Sequence, residues 1–303
     1  MKPKILVVGS SNTDMVLRLP RLPRPGETLL GGEFQSVAGG KGANQAVAAA
    51  RAGGNVTFLA RVGNDSLGEA ALAGFRSDGI DVSRIIQTEG KPSGVALIFV
   101  SEGGENSIGV APGANGLLTP DDIRNAREAF EQTEIVLVQL ETPIEGVEAA
   151  ISLADELGKR VILNPAPAAE LREDLLRRVT ILTPNETEAE LLSGVKVTDR
   201  SSAERAGLEL QRRGIGTVIV TCGADGAVIV TDGKPTWVET RKVTPVDTTA
   251  AGDVFNGALA VALGEGKTLV DAVRFANGAA SISVTRHGAQ PSAPRRAEID
   301  EML

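Results

Sequence analysis

The chain has few of the side chains that carry nucleophilic or zinc chemistry. Its 303 residues include one cysteine (Cys222), one histidine (His287) and no tyrosine. A single cysteine excludes an internal disulfide and favours a reducing compartment. One histidine and one cysteine also leave too few ligands for a structural zinc site or a Cys–His dyad. There is no G-x-S-x-G motif, which argues against a hydrolase built on a nucleophile elbow. Proton transfer is left to carboxylates or lysine.

Long apolar runs and an excess of positive charge are missing as well. No stretch approaches the roughly 18 apolar residues of a membrane span, and the apolar run Ile5–Val8 is too short for a signal peptide. The net charge of -8 argues against a nucleic acid or an anionic membrane as partner. With 42% hydrophobic and 23% charged residues, the composition is that of a globular protein with a sizeable core. We therefore expect a cytoplasmic protein.

What the sequence does contain is a regular alternation of strand and helix patterns. Apolar strands are predicted at Ile5–Gly9, Ile135–Leu140, Val161–Leu163, Thr180–Leu182 and Thr217–Thr221. Amphipathic helices are predicted at about Pro120–Gln132, Ile144–Leu157, Asn185–Leu192 and Ser201–Arg213. Such alternation predicts an α/β fold with a mainly parallel sheet covered on both faces, a three-layer Rossmann-like domain. No linker or composition shift divides the chain, so we expect one domain over residues 1–303.

Two segments depart from this pattern. Met15–Val37 alternates apolar and polar residues between prolines, and Gly94–Val110 forms a second piece of the same kind. We interpret the two as one small sheet, a lid formed by about 13–37 and 93–111. Its apolar outer face would need cover, which predicts a homodimer formed through the lid.

The stretch from Val246 to Asp253 is the strongest candidate for the reactive site. Small residues lie between Asp247 and Asp253, and a helical pattern starts directly behind them. The first turn of a helix has N–H groups without intrahelical partners, which together with the helix dipole bind anions. Asp253 would lie within reach of a phosphoryl group held there. The alternative is an ordinary capped helix in which Asp253 only complements the dipole.

Polar residues follow several of the predicted strands, where ligands bind in open α/β sheets. Asn12 and Asp14 follow the first strand and have groups suited to sugar hydroxyls, although an Asx turn is the alternative. The polar residues after later strands could likewise be caps or turns; they are Glu141, Asn164, Asn185, Glu188, Thr221 and Gly223.

Two glycine-rich stretches resemble nucleotide motifs but do not match them. In Gly39–Gln45, Gln45 stands where a dinucleotide fingerprint needs its third glycine. In Gly264–Thr268, the leading glycine of a Walker A loop is replaced by Val261. Neither motif is assigned, but Gly39–Gln45 still allows a ligand close to the backbone.

Four motifs together are similar to the ribokinase-like family of carbohydrate kinases. They are Gly39–Ala46 (GGKGANQA), Asn164–Pro167 (NPAP), Thr183–Glu188 (TPNETE) and Asp247–Asp253 (DTTAAGD). The resemblance runs from Ile5 to the C-terminus. The order and spacing of the motifs resemble the family's ribose kinases more than its hexose or nucleoside kinases.

This resemblance implies ATP-dependent phosphorylation of ribose at its primary hydroxyl, O5. It implies that Asp253 is the general base and that the N–H groups of Ala250, Ala251 and Gly252 form an anion hole. The residues it implies for sugar binding are Asn12, Asp14, Gly40, Lys41, Asn44, Glu141 and Asp253.

The resemblance also implies sites for ATP, Mg²⁺ and K⁺. Asn185 and Glu188 would order the magnesium–phosphate shell through water. The nucleotide would lie against Thr221, Gly223, Ala224, Asp225, Gly226, Gly252 and Asn277. Potassium would be held by Asp247, Thr249, Ser283, Arg286, Gly288 and Ser292, with Arg286 limited to its backbone carbonyl because its side chain has no acceptor. For Asp247, a loop cap is the alternative.

Two other functions remain open at this point. One is the same reaction on another sugar, such as 2-deoxyribose or a sugar acid. The other is a sugar- or nucleotide-binding sensor without turnover, against which the retention of Asp253 beside Gly252 argues.

Overall fold

The computed structural model describes residues 2–303. Its strands are β1 Lys4–Val8, β2 Asn12–Leu19, β3 Glu33–Gly39, β4 Asn55–Gly63, β5 Ile85–Thr88, β6 Gly94–Ser101, β7 Asn106–Ala111, β8 Ile135–Val138, β9 Arg160–Leu163, β10 Ile181–Leu182, β11 Thr217–Thr221, β12 Ala227–Thr231 and β13 Lys234–Val238. Its helices are α1 Lys41–Arg51, α2 Ser66–Ser77, α3 Pro120–Asn125, α4 Arg127–Gln132, α5 Ile144–Glu156, α6 Glu173–Leu176, α7 Glu186–Ser193, α8 Arg200–Arg212, α9 Ala251–Gly264, α10 Leu269–Ser283 and α11 Arg296–Met302.

Nine strands form one sheet in the order β13-β12-β11-β10-β9-β8-β1-β4-β5. The pairs from β5 to β11 are parallel, and β12 and β13 are added antiparallel at one edge. The predicted α/β fold with a mainly parallel sheet is therefore confirmed. On one side of β1 the strands follow outward as β4 and β5. On the other side they follow outward from β8 to β11. The strand order thus reverses between β1 and β8, where open α/β sheets bind ligands.

The sheet lies between two layers of helices because successive strand residues face opposite sides. In β1, Ile5 and Val7 pack into a core with α1, α2, α9, α10 and α11. Leu6 and Val8 of the same strand pack into a second core with α3 to α8. Strands buried on both faces have no polar alternation, which explains the continuous apolar runs in the sequence.

Several predicted boundaries differ from the observed ones. The helix predicted over 120–132 is two helices, α3 and α4, because Ala126 lies outside the helical region with φ -91° and ψ 9°. Strand β8 ends at Val138, two residues before the predicted end, so Gln139 and Leu140 already belong to the loop at the ligand edge. The other predicted strands and helices differ from the structure by at most one residue at each end.

A second sheet of four strands has the order β3-β2-β6-β7. It is built from two segments of the chain, 12–39 and 94–111, which are close to the limits given for the lid above. By register, Asp14 lies on one face with Val37, Ala96 and Val110.

The opposite face of the small sheet holds apolar side chains. Leu17 lies there beside Phe34 and Phe99, and Leu97 lies one row away. Phe34 is 63% exposed and Leu97 51% exposed. This face therefore has apolar surface that no other part of residues 2–303 covers.

Within residues 2–303, no helix combines the length and the apolar character that a membrane crossing requires.

Candidate active site

Glu141 joins three segments at the reversal point of the sheet. It follows β8, and its Oε2 accepts a hydrogen bond from Ser10 Oγ (2.6 Å), beyond the end of β1. The same oxygen accepts from the backbone N–H of Lys41 (2.9 Å), the first residue of α1. Glu141 therefore holds the start of α1 against the carboxyl ends of β1 and β8, and its contacts are with the protein's own groups.

Asp253 lies buried in the first turn of α9, with 6% of the residue exposed. Its Oδ2 accepts from Asn44 Nδ2 (2.9 Å) and its Oδ1 from Gln45 Nε2 (2.9 Å). Burial raises the pKa of Asp253, and the positive charge of Lys41 opposes that rise. The carboxylate is thus a stronger base than an exposed aspartate, and two amides fix its orientation.

A chain of amide side chains continues from Asp253 into the interior. Gln45 Nε2 also donates to Asn164 Oδ1 (2.9 Å), and Asn164 Nδ2 donates to the backbone carbonyl of Thr183 (3.2 Å). Gln45 Oε1 accepts from Gln139 Nε2 (2.6 Å). Because a backbone carbonyl and a carboxylate can only accept, these contacts determine the orientation of every amide between them.

Sequence analysis missed the roles of Gln45 and Gln139. The sequence gives Gln45 no role beyond its place in the Gly39–Ala46 motif and in the rejected dinucleotide fingerprint, and it places Gln139 in a predicted strand. Gln139 lies directly behind the true end of β8, as Asn164 lies directly behind β9, but this strand end is visible only in the structure.

Three carboxylates share the crevice with one lysine. Burial raises the pKa of Asp14 to about 6, and repulsion from Glu141 and Asp253 adds to that effect while Lys41 counteracts it. Asp14 belongs to β2 of the small sheet, so the small sheet supplies a charged group to a site built mainly on the large one. Gly39 of β3 packs against this carboxylate, because a Cβ there would lie 2.3 Å from Asp14 Oδ2. Asp14 is therefore held against its neighbouring strand.

The remaining residues predicted to bind sugar lie at the same place. Gly40 precedes α1 with a positive φ of 90°, and a Cβ there would lie 2.6 Å from the backbone N of Asn12. Only glycine fits this conformation and this approach without strain. Asn12, Asp14, Lys41, Asn44, Glu141 and Asp253 are therefore assembled from β2, α1, the β8 loop and α9.

The start of α9 has the geometry of an anion site. Ala250 precedes the helix in the left-handed region with φ 60°, and no side chain of residues 2–303 caps the helix. A Cβ built on Gly252 would meet no atom within 4 Å outside the helix's own backbone, so the turn is open on the side of Gly252. The Ala251 N–H bonds to the Thr248 carbonyl at 3.3 Å, whereas the N–H groups of Ala250 and Gly252 have no partner among residues 2–303 and are left for a ligand.

Most residues predicted to bind nucleotide lie around the β11–β12 turn, whereas Gly252 lies in the first turn of α9. Thr221 ends β11 and forms an isolated bridge with Asn185, which brings the α7 start next to the turn. Gly226 closes the turn with φ 89°. Asn277 of α10 donates to the carbonyl of Val238, which also lies 2.3 Å from a Cβ built on Gly226. The turn residues Gly223, Ala224 and Asp225 form one 3₁₀ turn, and Asp225 pairs with Arg200 at 3.8 Å.

Asn185 and Glu188 cap α7 in a reciprocal arrangement. Asn185 Oδ1 accepts from the Glu188 N–H (2.8 Å), and Glu188 Oε2 accepts from the Asn185 N–H (2.9 Å). The two residues therefore form a capping box, in line with the helix cap that the sequence analysis gave as the alternative to a ligand site. Glu188 is also buried, which raises its pKa. The charge of Lys41 lowers this pKa and that of Asp253 raises it.

Asp247 joins the two loops predicted to hold potassium. Its Oδ1 accepts from the Thr249 N–H (2.9 Å) and its Oδ2 from the Gly288 N–H (2.9 Å). Burial opposes ionisation, but these hydrogen bonds outweigh it and lower the pKa of Asp247. The N–H groups of Val246 and Asp247 bond to the Val284 carbonyl, next to Ser283.

The structure connects the other predicted potassium residues less directly. The Arg286 N–H bonds to the Ser283 carbonyl (3.0 Å), whereas the Arg286 guanidinium bonds to Glu298. Ser292 Oγ donates to the Ala289 carbonyl (2.7 Å). The Arg286 side chain is thus engaged elsewhere, as expected if only its carbonyl could serve a cation.

Comparisons with known proteins find relatives along the whole chain. A ribokinase from Haemophilus influenzae is 45% identical over 303 residues, 100% of this chain and 99% of its own. A deoxyribokinase from Salmonella typhi is 36% identical over 99% of this chain and 98% of its own. The solved structure of a ribokinase from Arabidopsis thaliana complexed with ribose and ATP has 33% identity and a TM-score of 0.92, covering 100% of this chain and 99% of that one. The family description "pfkB family carbohydrate kinase" matches residues 2–296. The chain therefore belongs to the pfkB family of carbohydrate kinases.

Proposed function

We propose that the protein transfers the γ-phosphoryl group of ATP to the primary hydroxyl of ribose, giving ribose 5-phosphate and ADP. The observation that carries this proposal is the buried carboxylate of Asp253, held by Asn44 and Gln45 at an open helix start. A binding protein has no need of a buried base at the point where an anion docks. Ribose is favoured by the full-length likeness to ribokinases.

Asp253 and the start of α9 divide the reaction between them. Asp253 accepts the proton of the O5 hydroxyl, and O5 then forms a bond to the γ-phosphorus while the bond to the β–γ bridging oxygen breaks. The N–H groups from Ala250 to Gly252 stabilise the charge on the γ-phosphoryl oxygens. Such a transfer depends mainly on positioning and charge neutralisation. General-base help from a placed carboxylate is worth roughly a hundredfold or more.

The sugar would be held by residues that offer both donors and acceptors. Asp14 can accept from hydroxyl groups, and Lys41 can donate to them. Asn44 Oδ1 is buried without a hydrogen-bond partner among residues 2–303, although its Nδ2 is bound to Asp253. A buried acceptor of this kind is costly unless a ligand satisfies it, which supports a hydroxyl of the sugar as its partner.

Magnesium fits the residues at the start of α7. Mg²⁺ prefers oxygen ligands and keeps several waters, and Glu188 offers two carboxylate oxygens with lone pairs beyond those used in the capping box. When bound with ATP, the ion neutralises charge on the β- and γ-phosphate oxygens. Asn185 and Glu188 would hold its water shell, while Gly223 to Gly226 and Asn277 would border the nucleotide.

Potassium fits the loops joined by Asp247. The carboxylate is kept ionised by two backbone N–H groups, so it provides a negative charge between the Thr249 and Gly288 loops, next to the segment at Val284. Replacing potassium with a bulky organic cation should lower the rate of sugar phosphorylation. An unchanged rate would remove the ion from this proposal.

The small sheet is proposed to act as a lid and as the contact of a homodimer, within one kinase domain in the cytoplasm. Its exposed apolar face, with Phe34 and Leu97, is the observation that supports pairing with a second copy. Light scattering at micromolar concentration should give twice the mass of the chain. A monomer would contradict this assignment.

One assay separates the candidate functions. ATP turnover is coupled to ADP detection with ribose, 2-deoxyribose and a panel of sugar acids. We expect the highest kcat/KM with ribose. The deoxyribokinase relative makes 2-deoxyribose the main alternative, whereas sugar binding without any ADP formation would identify a sensor.

A further inference from the structure

Asn115 lies where the small sheet joins the large one. It belongs to a 3₁₀ turn, Gly113–Leu117, that follows the small sheet's last strand, and it is 1% exposed. Beside it, β2 and β6 of the small sheet begin with the paired residues Asn12 and Gly94. Neither sequence motifs nor the proposed reaction assigns Asn115 a role, yet a fully buried asparagine needs partners for its polar atoms.

The orientation of the Asn115 amide is determined by backbone atoms. Its Oδ1 accepts from the Ser11 N–H (2.9 Å), and its Nδ2 donates to the Ser11 carbonyl (3.0 Å). Because a backbone N–H can only donate and a carbonyl can only accept, the reversed amide would lose both bonds. Asn115 therefore has one possible orientation, and its second Nδ2 hydrogen points away from Ser11.

That second hydrogen determines the orientation of Asn12. Asn115 Nδ2 donates to Asn12 Oδ1 at 2.7 Å, so Asn12 must turn its oxygen towards Asn115. The Asn12 Nδ2 group is then left for other partners, and no atom of residues 2–303 accepts a hydrogen bond from it. Asn12 is half-buried, two residues before Asp14 on the same face of β2.

Close packing keeps this pair of asparagines in place. A Cβ built on Gly94 would lie 2.1 Å from Asn12 Oδ1 and 2.2 Å from Asn115 Nδ2. Only glycine leaves room for their hydrogen bond. The two amides thus have no alternative arrangement within the folded junction.

We propose that Asn115 is a specificity-determining positioning residue, which makes Asn12 a hydrogen-bond donor next to the acceptor Asp14. This donor–acceptor pair recognises adjacent hydroxyl groups, one accepting from Asn12 and one donating to Asp14. The protein then selects sugars that carry both hydroxyls over their deoxy analogues, because a site built to pair with a hydroxyl rejects a ligand without it. The inference rests on the proposed sugar kinase function.

Asn115→Asp tests the proposal with little change of shape. One carboxylate oxygen still accepts from the Ser11 N–H, but the other faces the Ser11 carbonyl and Asn12 Oδ1. Asn12 then turns its Nδ2 towards the new carboxylate and offers its oxygen to the sugar. We expect kcat/KM for ribose to fall about 10- to 100-fold, mostly through KM, with kcat within about threefold. Asn125→Asp, at an exposed site on α3, is the control for added charge.

The sugar panel separates specificity from general damage. For 2-deoxyribose or 3-deoxyribose, whichever lacks the hydroxyl bound by Asn12, the loss in Asn115→Asp should shrink to less than about threefold. In an Asn12→Ala background, Asn115→Asp should likewise add less than about threefold, because the two residues act through one contact. Equal losses of kcat/KM on all three sugars would overturn the proposal. So would an Asn115→Asp loss in the Asn12→Ala background as large as the loss in the wild type.

A second variant covers the case in which Asn115→Asp does not fold. Asn12→Asp keeps the bond from Asn115 and places a carboxylate oxygen where the donor was, so it should give the same change of selectivity. Wild-type turnover of ribose is measured first, and its absence would count against the proposed function alone. Calorimetry of ribose binding tests the present inference independently. Equal affinity in the wild type, Asn115→Asp and Asn12→Asp would overturn it.

Discussion

Asp253→Asn separates a general base from a helix-start acid. In the wild type both carboxylate oxygens accept, from Asn44 Nδ2 and from Gln45 Nε2. The new amide has one acceptor and one donor, so its NH₂ group must face one of these donors. Gln45 cannot reverse its amide, since Gln139 and Asn164 hold it at both ends. The substitution is therefore less neutral than its shape implies.

Asn44 provides the compensation. Its Oδ1 has no hydrogen-bond partner among residues 2–303, so reversing the Asn44 amide presents that oxygen to the new NH₂ group. Both hydrogen bonds are then retained. They become neutral and weaker by about 1 kcal/mol each, while the cost of a buried charge disappears. We expect the free energy of unfolding to change by no more than about 1–2 kcal/mol.

Turnover should change far more than stability. Loss of the proton acceptor should lower kcat by roughly a hundredfold to ten-thousandfold, which is about 3–5 kcal/mol of barrier. Ribose affinity should fall less, since Asp14 and Lys41 remain, although the reversed Asn44 offers a donor in place of an acceptor. Chemical denaturation, calorimetry and steady-state kinetics on the same preparation measure the three quantities.

The matched control is Asp271→Asn, an acid in the first turn of the neighbouring helix α10. It should cost a few tenths of a kcal/mol to about 1 kcal/mol in stability and leave kcat unchanged. A folded Asp253→Asn protein with kcat within about threefold of wild type would refute the base assignment, since that is under about 1 kcal/mol of barrier.

Three further predictions follow from the same site. Because the pKa of Asp14 is raised to about 6, its carboxylate is lost as pH falls from 7 to 5, so KM for the sugar should rise; a KM that does not rise, or a rise that persists in Asp14→Asn, would contradict this. Gln45→Met removes a hydrogen bond that lowers the pKa of Asp253, so the acid limb of the kcat–pH profile should move to higher pH. It should also cost about 1–3 kcal/mol in denaturation experiments, since a buried Asn164 oxygen loses its donor; an unmoved limb would show that Gln45 is only structural. Ala250→Gly relieves a left-handed residue at φ 60°, worth roughly 1–2 kcal/mol, against about 0.5–1 kcal/mol of added chain entropy, so thermal denaturation should show equal or slightly higher stability, and a clear loss would refute the strain argument.

The fold class and the central acid could be predicted from sequence because both depend on local patterns. Continuous apolar runs such as Ile5–Val8 alternate with amphipathic helices, and that alternation alone implies a parallel sheet between helical layers. Asp253 could be selected because small residues precede it and a helical pattern follows it, which places it in a first helical turn. The relation to carbohydrate kinases rested on short motifs read in order.

The partners of these residues were decided only by the tertiary structure. Asn44 and Asp253 are 209 positions apart, and Asn115 lies 103 positions from Asn12. No periodicity or motif connects residues over such distances. A lone glutamine or asparagine has the same local preferences whether it lies in a surface turn or forms hydrogen bonds in the interior. Only packing determines which hydrogen-bonding atoms meet and which charges lose water. For that reason the roles of Gln45, Gln139 and Asn115, and the raised pKa of Asp14, could be recognised only in the folded chain.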